Sequence, residues 1–375
     1  IVYSFEGSPP QLLDDLFIPD PRNYVGRDRF REDELAAFMN ADYRVTDRLT
    51  ATAGARLTYY KQTLQRGASF PAFEDPGDLD DPARLTASET KVLPRFALTW
   101  RDPAGWLVYA SAAEGFRTGG GNPPENLRGA CPNRNDLPLQ PDQFGADSAW
   151  SYEIGARGNL AGGKVQFGAA AYRVDWNNIQ NSVLFTCSDN SVVSFVDNAG
   201  RARIEGLELE SSFALTPSLS LFGSLAYTRD RFIEDAPQAG RFRGEPLGFV
   251  PEWTANIGLN YAAREALFGA WRPYGIADYR YVATRDDPNF GVRADPEFGA
   301  DLPAQNVVDV RFGIRSERFD VSIFARNLTN EDFALSQLAL FATNAFRPTG
   351  IDPRTQREEI LIRPRTIGAT VRAMF

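Results

Sequence analysis

Apolar and polar residues alternate at every second position through much of the chain. Near its end, Ile367, Ala369 and Val371 alternate with Thr370 and Arg372. Successive side chains of a β-strand point to opposite faces, so a period of two predicts strands with one apolar and one polar face. The same period of two in many segments argues against their forming helices.

The alternation predicts about fourteen strands. Their expected positions are residues 1–5, 35–45, 48–65, 91–101, 105–117, 148–159, 164–185, 192–215, 219–233, 249–262, 267–285, 306–316, 319–333 and 365–375. Short and long connections follow one another in turn, and the brief connection at 187–191 is the one irregularity. All short turns then fall at one end of an antiparallel sheet. This arrangement is typical of outer-membrane β-barrels, whose long loops are extracellular and whose short turns are periplasmic.

Composition agrees with one large all-β domain spanning residues 1–375. The chain has 31 Gly, 25 Pro and 12% aromatic residues, as a turn-rich β-protein requires. No run approaches the roughly 18 apolar residues of a membrane-spanning helix, and the mean hydropathy is −0.34. A membrane-spanning barrel strand with alternating residues needs neither a long apolar run nor a high mean hydropathy.

Charge and residue content exclude several functions. The net charge of −9 argues against a nucleic-acid partner, which would need clustered Lys and Arg. The chain contains no His, so nucleophilic catalysis by Ser-His or Cys-His pairs is excluded within it. We therefore predict no enzyme and no cofactor.

Cys131 and Cys187, the two cysteines, both fall in connections assigned to the extracellular side. That compartment is oxidising, so we predict a disulfide between them, with two free thiols as the alternative. The acidic segment 73–82 offers carboxylates for Ca²⁺, but its spacing fits no EF-hand loop. A solvated loop is the preferred interpretation, and no metal site is predicted.

Five short motifs carry a resemblance to a known family. They are YASAAEGFRTGG at 109–120, SYEIGARG at 151–158, NAGRARIEGLELE at 198–210, ARNLTNEDF at 325–333 and RTIGATVRAMF at 365–375. In this order they resemble the C-terminal half of the barrel of TonB-dependent outer-membrane receptors. Each motif is weak alone, and their order makes the resemblance specific.

The resemblance implies a 22-stranded transmembrane barrel, closed inside by an N-terminal plug domain and assembled through a terminal aromatic residue, here Phe375. About fourteen strands are then a C-terminal portion, with the plug domain and the N-terminal strands absent. Fourteen strands closing on themselves, by pairing 1–5 with 365–375, are the alternative. The partners implied are outer-membrane lipid and lipopolysaccharide, the barrel-assembly machinery, and the TonB energy-coupling complex acting through the plug.

Two regions supply candidate ligand contacts. In the segment EGFRTGGGNPP, Arg117 and Asn122 are candidates, and Arg117 could instead pair with Glu114 to anchor the loop.

The long connection 334–364 carries the second set of candidates. Its residues Arg347, Arg354 and Arg357, with Phe341 and Phe346, suit an anionic, partly aromatic ligand, and they are also ordinary loop residues.

The leading hypothesis is a bacterial outer-membrane receptor that takes up a scarce, bulky small-molecule solute, with a ferric siderophore as the expected ligand. A passive porin-type channel would lack the plug and the energy coupling. An outer-membrane hydrolase would need a catalytic base other than His. A soluble β-sandwich or adhesin would cover its apolar faces with a second layer of protein.

Overall fold

The computed structural model describes residues 2–6, 22–69, 83–122, 141, 143–186, 192–267, 269–286, 301–339 and 357–374. Strands dominate these residues. They are β1 Val2–Glu6, β2 Arg22–Arg44, β3 Leu49–Ser69, β4 Ala83–Arg101, β5 Leu107–Arg117, β6 Gly120–Gly121, β7 Gln143–Phe144, β8 Asp147–Leu160, β9 Val165–Asn177, β10 Gln180–Thr186, β11 Val192–Asn198, β12 Arg201–Thr216, β13 Leu219–Phe232, β14 Trp253–Ala262, β15 Arg272–Val282, β16 Gln305–Arg315, β17 Phe319–Arg326, β18 Ala334–Ala339, β19 Arg357–Leu361 and β20 Thr366–Ala373.

Fourteen of these strands form a single sheet in which every neighbouring pair is antiparallel. Its order is β1-β2-β3-β4-β5-β8-β9-β12-β13-β14-β15-β16-β17-β20, which follows the chain without a crossover. The remaining strands form three two-stranded ladders, β6 with β7, β10 with β11, and β18 with β19. The predicted all-β antiparallel architecture of about fourteen strands is confirmed.

Between the strands, the described residues contain two short 3-10 turns, at Ala161–Gly163 and Pro237–Ala239. None of the helical segments in this part of the chain is long and apolar enough to cross a membrane.

The register keeps apolar side chains on one face from strand to strand. Leu209 in β12 lies opposite Ala169 in β9 and Leu225 in β13, and Leu209 and Leu225 are both exposed. We call this face the apolar stripe. Its exposed members across the sheet include Leu57, Leu98, Ile154, Leu209, Ile257, Phe312, Ile323 and Val371. Since antiparallel partners share a face, the period of two seen in single segments becomes one continuous apolar surface.

The opposite face, which we call the lumen face, is polar over most of its height. Glu208 and Glu210 of β12 lie on it, as do Arg311 and Arg315 of β16. Near the end that carries the long connections, this face bears a small apolar core of Ile179, Ala202 and Phe232, packed against Trp176 and Leu247. Ile179 and Leu247, from the described parts of two long connections, therefore pack against the lumen face.

The predicted alternation of short and long connections is confirmed. Short turns such as 45–48, 102–106 and 316–318 close one end of the sheet with local backbone hydrogen bonds, for example from the N–H of Val45 to the carbonyl of Leu49 at 2.8 Å.

The irregular connection at 187–191 has a structural explanation. The predicted strands 164–185 and 192–215 are wrong as single strands, because each breaks at its extracellular end.

The two breaks coincide with left-handed backbone conformations. Asn178 has φ of 57° and Gly200 has φ of 78°, which a continuous strand does not allow. The hairpin of β10 and β11 therefore leaves the sheet, and the connection between β9 and β12 is long like the others at its end.

Several other expected bounds also needed correction. Strand β2 begins at Arg22 and β4 at Ala83, both earlier than expected, whereas β17 ends at Arg326, before the expected 333. The connection 334–364, expected to be irregular, contains the hairpin of β18 and β19. Within the described ladders, β1 pairs with β2 alone and β20 with β17 alone, so these two strands form the edges of the sheet.

Candidate functional site

The extracellular rim contains an ion pair between neighbouring strands, with a buried carboxylate and a half-exposed arginine. Arg117, the last residue of β5, lies opposite Asp147, the first residue of β8, and its Nε donates to both carboxylate oxygens at 3.0 Å. The Asp147 side chain is only 1% exposed. Arg117 also stacks over the ring of Trp176, 4.6 Å from its centroid. The alternative ion pair between Arg117 and Glu114 is wrong. Glu114 lies three positions before Arg117 in β5, so the two side chains point to opposite faces of the sheet.

Polar side chains extend this pair into the adjacent connections. The backbone N–H of Gln180 donates to Asp147 at 3.2 Å, and the Gln180 side chain donates to the carbonyls of Thr118 at 2.9 Å and Gly145 at 3.1 Å. Asn198 donates to the carbonyl of Gly145 at 3.0 Å. Three segments far apart in sequence meet at this point.

Asn122 ties the same three segments together at a second point. It is 2% exposed. Its side-chain amide donates to the carbonyls of Pro141 and Val196, each at 2.7 Å, and its carbonyl accepts the N–H of Val196 at 2.8 Å. Every polar atom of the side chain is thus used within the protein. We call Arg117, Asn122, Asp147, Gln180 and Asn198 the rim clasp.

Tyr60 ties the glycine-rich segment to β3. Its hydroxyl accepts the N–H of Gly119 at 2.9 Å and donates to Glu89 at 3.2 Å. A Cβ at Gly119 would collide with the carbonyl of Phe144, so this close approach requires glycine.

Lower on the lumen face, a second polar group spans β5 and β8. The Tyr109 hydroxyl donates to Glu153, and the guanidinium of Arg157 lies 5.9 Å from the centre of the Tyr109 ring. Glu208 and Glu210 follow on β12. Over the described residues, no three His, Cys, Asp or Glu side chains converge as metal ligands would. Among the residues described, the wall is therefore a polar surface without a cluster of metal-ligating side chains.

Comparison with known proteins decides the class of this chain. Residues 4–328 match the family described as TonB dependent receptor-like, beta-barrel. The chain belongs to this family of TonB-dependent receptors. The resemblance inferred from the five motifs is confirmed, and the barrel lies in the bacterial outer membrane, with the apolar stripe facing lipid.

Curated relatives of this TonB-dependent receptor are themselves named receptors. The pesticin receptor of Yersinia pestis is 23% identical over 332 residues, which is 85% of this chain and 43% of the relative. The ferrioxamine B receptor of Salmonella typhimurium is 29% identical over 163 residues, covering 43% of this chain and 20% of the relative. The chain therefore spans less than half the length of these relatives.

Solved structures show the same barrel fold. The ferric yersiniabactin uptake receptor FyuA of Yersinia pestis superimposes with a TM-score of 0.68 at 19% identity, covering 94% of this chain and 48% of that one. The pyoverdine receptor FpvA of Pseudomonas aeruginosa gives 0.60 at 16% identity, covering 94% and 43%. The fold agrees although few residues are shared.

The structure places three of the predicted ligand residues, and the others lie outside its described part. Arg357 is the first residue of β19, where its backbone pairs with Ala339. Arg117 and Asn122 are both in the rim clasp, where they bind other parts of the chain. Outside the described residues lie the acidic segment 73–82 and the remaining candidates, Cys131, Cys187, Phe341, Phe346, Arg347, Arg354 and Phe375.

Sequence reasoning missed Tyr60, Asp147, Gln180 and Asn198. Of these residues, only Asn198 lies in one of the five motifs. Gly200, two positions later in the same motif, was the signal in the sequence for a break in the strand.

Proposed function

We propose that this TonB-dependent receptor imports a ferric siderophore or a closely similar metal chelate. The observation that carries the proposal is the nature of its relatives. Over 85% of the chain it is similar to a pesticin receptor, and the metal-pseudopaline receptor CntO of Pseudomonas aeruginosa is 23% identical over 77% of the chain. The ferrioxamine B receptor matches a further stretch. Receptors for metal chelates recur among these relatives.

The described structure supports this function through its shape. The described parts of two extracellular connections pack against the lumen face, and the rim clasp fixes connections at the mouth of the wall. Because Arg117 and Asn122 are used in that clasp, we assign them to loop positioning. Arg347 and Arg354, with Phe341 and Phe346, stay our candidates for ligand contact, since guanidinium and aromatic groups suit an anionic, aromatic chelate.

The edges β1 and β20 support a barrel completed by further strands. An unpaired strand edge in hydrocarbon exposes backbone donors and acceptors, each at a cost of several kcal/mol. We propose that this chain is the C-terminal portion of a 22-stranded barrel, with a plug inside that engages the TonB complex. We further propose that Phe375 serves barrel assembly and that Cys131 bonds to Cys187.

The family and its relatives are receptors and transporters. We propose that this chain likewise leaves its solute chemically unchanged, and that no cofactor takes part. Affinity for the solute and its release by the energy-coupling complex then account for the whole of transport.

Uptake of radioactive iron tests the proposal. The complete gene product is expressed in a strain that lacks its own siderophore receptors, and a panel of ferric siderophores is supplied under iron limitation. We expect uptake of at least one chelate in tonB-positive cells and none in tonB-null cells. Equal uptake in both strains would replace the proposal with a passive channel, and uptake of no chelate in the panel would overturn the choice of solute.

A double variant tests the ligand contacts. Arg347→Ala with Arg354→Ala should weaken chelate binding by about tenfold, corresponding to the loss of about 1.4 kcal/mol. Arg264→Ala is the matched control, because Arg264 donates to the carbonyl of Pro217 at the periplasmic end. Unchanged binding in the double variant would remove these arginines from the site.

A further inference from the structure

Aromatic rings on the lumen face lie over glycines of the neighbouring strand. Tyr109 in β5 is directly opposite Gly155 in β8, and a Cβ at Gly155 would lie 2.6 Å from the hydroxyl oxygen of Tyr109. The ring of Tyr172 in β9 takes the corresponding space at Gly206 in β12. Each ring therefore packs where any residue other than glycine would place its side chain. We call such a cross-strand pair an aromatic-glycine joint.

Further joints follow along the sheet. On the lumen face they pair Phe222 in β13 with Gly258 in β14, Tyr274 in β15 with Gly313 in β16, and Phe324 in β17 with Gly368 in β20. On the apolar stripe, Phe312 of β16 lies over Gly275 of β15, so that the second strand of the pair carries the ring. Either strand can therefore supply the aromatic residue.

Two of the tyrosines reach a third strand by crossing the glycine. The Tyr172 hydroxyl lies 2.9 Å from the hydroxyl of Thr228 in β13, beyond β12. Tyr274 donates to Asp320 in β17 at 2.6 Å, beyond β16. Either bond requires the ring to lie flat across the middle strand, and the glycine there leaves the space for it.

The six joints all link strands that are joined by long extracellular connections. The pairs are β5 with β8, β9 with β12, β13 with β14, β15 with β16, and β17 with β20. Among the glycines that the structure describes in the sheet, none is covered by a ring from a strand joined to its own by a short turn. The long-connected pair β3 and β4 has no joint among its described residues, and its ladder has more paired residues than any of the five jointed ladders.

Strand register is specified differently in these two kinds of pair. A short turn of fixed length sets the register of its hairpin, whereas a long connection does not. Alternation of apolar and polar residues excludes a slip of one residue, because that slip reverses the faces. A slip of two residues keeps every side chain on its own face, so alternation alone does not exclude it.

An aromatic-glycine joint distinguishes the registers that alternation leaves equal. On the lumen face of β14, Asn256 and Asn260 flank Gly258. A slip of two residues would therefore place an amide side chain beneath the ring of Phe222. Gly155 is flanked in the same way by Glu153 and Arg157.

We propose that the aromatic-glycine joints select the register of the strand pairs whose connections are too long to specify it. The ring fits over its glycine in one register and meets a longer side chain in the next register of the same facing. Because the joints act on strand pairing, the proposal does not depend on which solute the receptor transports.

Disulfide formation between β13 and β14 tests this role. The complete gene product is refolded into lipid vesicles under reducing conditions and then oxidised. Ser224→Cys with Asn256→Cys places the two thiols directly opposite in the native register. Ala226→Cys with Asn256→Cys, and Ser224→Cys with Thr254→Cys, become opposite only after a slip of two residues in one direction or the other. Opposite Cβ atoms are about 5 Å apart and diagonal Cα atoms about 7 Å or more, so a disulfide, which needs Cβ atoms about 4 Å apart, reports the register.

Two single variants break the joint in different ways. Phe222→Ala removes the ring, and Gly258→Ala fills the space beneath it. A cross-strand side-chain pair contributes up to about 1 kcal/mol, or about fivefold in an equilibrium. Each variant should therefore lower the ratio of native to displaced disulfide about fivefold, as measured by mass spectrometry of the joined peptides. Gly115→Ala is the matched control, because a Cβ at Gly115 would meet no atom within 4 Å, and it should keep the wild-type ratio.

Inverting the joint separates register selection from a general loss of stability. Phe222→Gly with Gly258→Phe restores a ring over a glycine in the native register, with the strand order of the Phe312 and Gly275 joint, and should recover most of the native disulfide. A wild-type ratio in Phe222→Ala would overturn the proposal, as would an inverted joint whose ratio stays as low as that of the single variants. Neither measurement involves iron uptake, so the solute proposal is tested separately.

Discussion

The two ends of the sheet are held together by different kinds of contact. At the periplasmic end each hairpin turn is closed by local bonds, such as the N–H of Leu49 to the hydroxyl of Thr46, three residues apart and 3.0 Å long, and side chains such as Arg264 link one turn to the next. At the extracellular end, Asn122 bonds to Val196 across 74 residues of sequence. One end is specified by turn chemistry, and the other by side chains that bring distant segments together.

This difference separates the stability of the wall from the shape of the mouth. Local turns set the register with little loop-closure entropy, so the wall can form before the rim. The rim clasp adds contacts to a wall already paired, and local opening there leaves the ladders intact. The end proposed to capture solute is thus the end whose shape can change without unfolding the barrel.

Removing the Asn122 side chain should have the largest effect at the rim. Asn122→Ala loses three hydrogen bonds and leaves two carbonyls and one N–H of half-buried residues without this partner, at a cost of about 3 kcal/mol. Hydrogen exchange of β11 should accelerate by about a hundredfold, while exchange in the transmembrane parts of β12 and β13 stays unchanged. Mass spectrometry of peptides from the folded receptor measures both.

Asn159→Ala is the matched control for that experiment, because Asn159 is exposed at the other end of β8. It should leave exchange in β11 at the wild-type rate. Accelerated exchange throughout the sheet in Asn122→Ala would show that the stability of the wall depends on the rim clasp, and that the two ends are coupled.

Arg117→Ala should have a smaller effect than Asn122→Ala. It leaves the buried carboxylate of Asp147 without its cation, although the N–H of Gln180 still donates to it. Half of the Arg117 side chain is exposed, so we expect a cost of about 2 kcal/mol, below that of fully buried pairs. Arg117→Lys keeps the charge but loses the paired hydrogen bonds, so this variant should recover part of the stability lost in Arg117→Ala. Exchange of β10 measures the series, and an unchanged rate in Arg117→Ala would show that the pair does not hold the rim.

The sequence was informative where structure is local. A period of two located the strands of the sheet, and Gly, Pro and Asp located the short turns, because both signals act over a few residues. The breaks at Asn178 and Gly200 were missed, since β10 and β11, which lie between them, are rich in apolar and β-branched residues and read as strands themselves. A hairpin that leaves the sheet has the same period as a strand that stays in it.

The rim clasp was only partly predictable for a related reason. Arg117 and Asn122 were singled out as candidate ligand contacts, but their partners Asp147 and Val196 are set by the meeting of distant segments. Sequence shows that a residue can donate hydrogen bonds and does not show whether the protein already accepts them.

The periplasmic end should show the smallest and most local response. Gly162, in the turn between β8 and β9, has φ of 66° and ψ of 31°, and a Cβ there would meet no neighbouring atom within 4 Å. Gly162→Ala should therefore cost only the backbone strain of about 1 kcal/mol. Gly162→Asn should recover much of it, because asparagine tolerates this left-handed conformation. Urea-dependent folding into lipid vesicles measures the series, and hydrogen exchange at the rim should not change in either variant. If alanine and asparagine were equally destabilising, conformational strain would not explain the requirement for glycine, and the claim that turn chemistry specifies this end would fail at this turn.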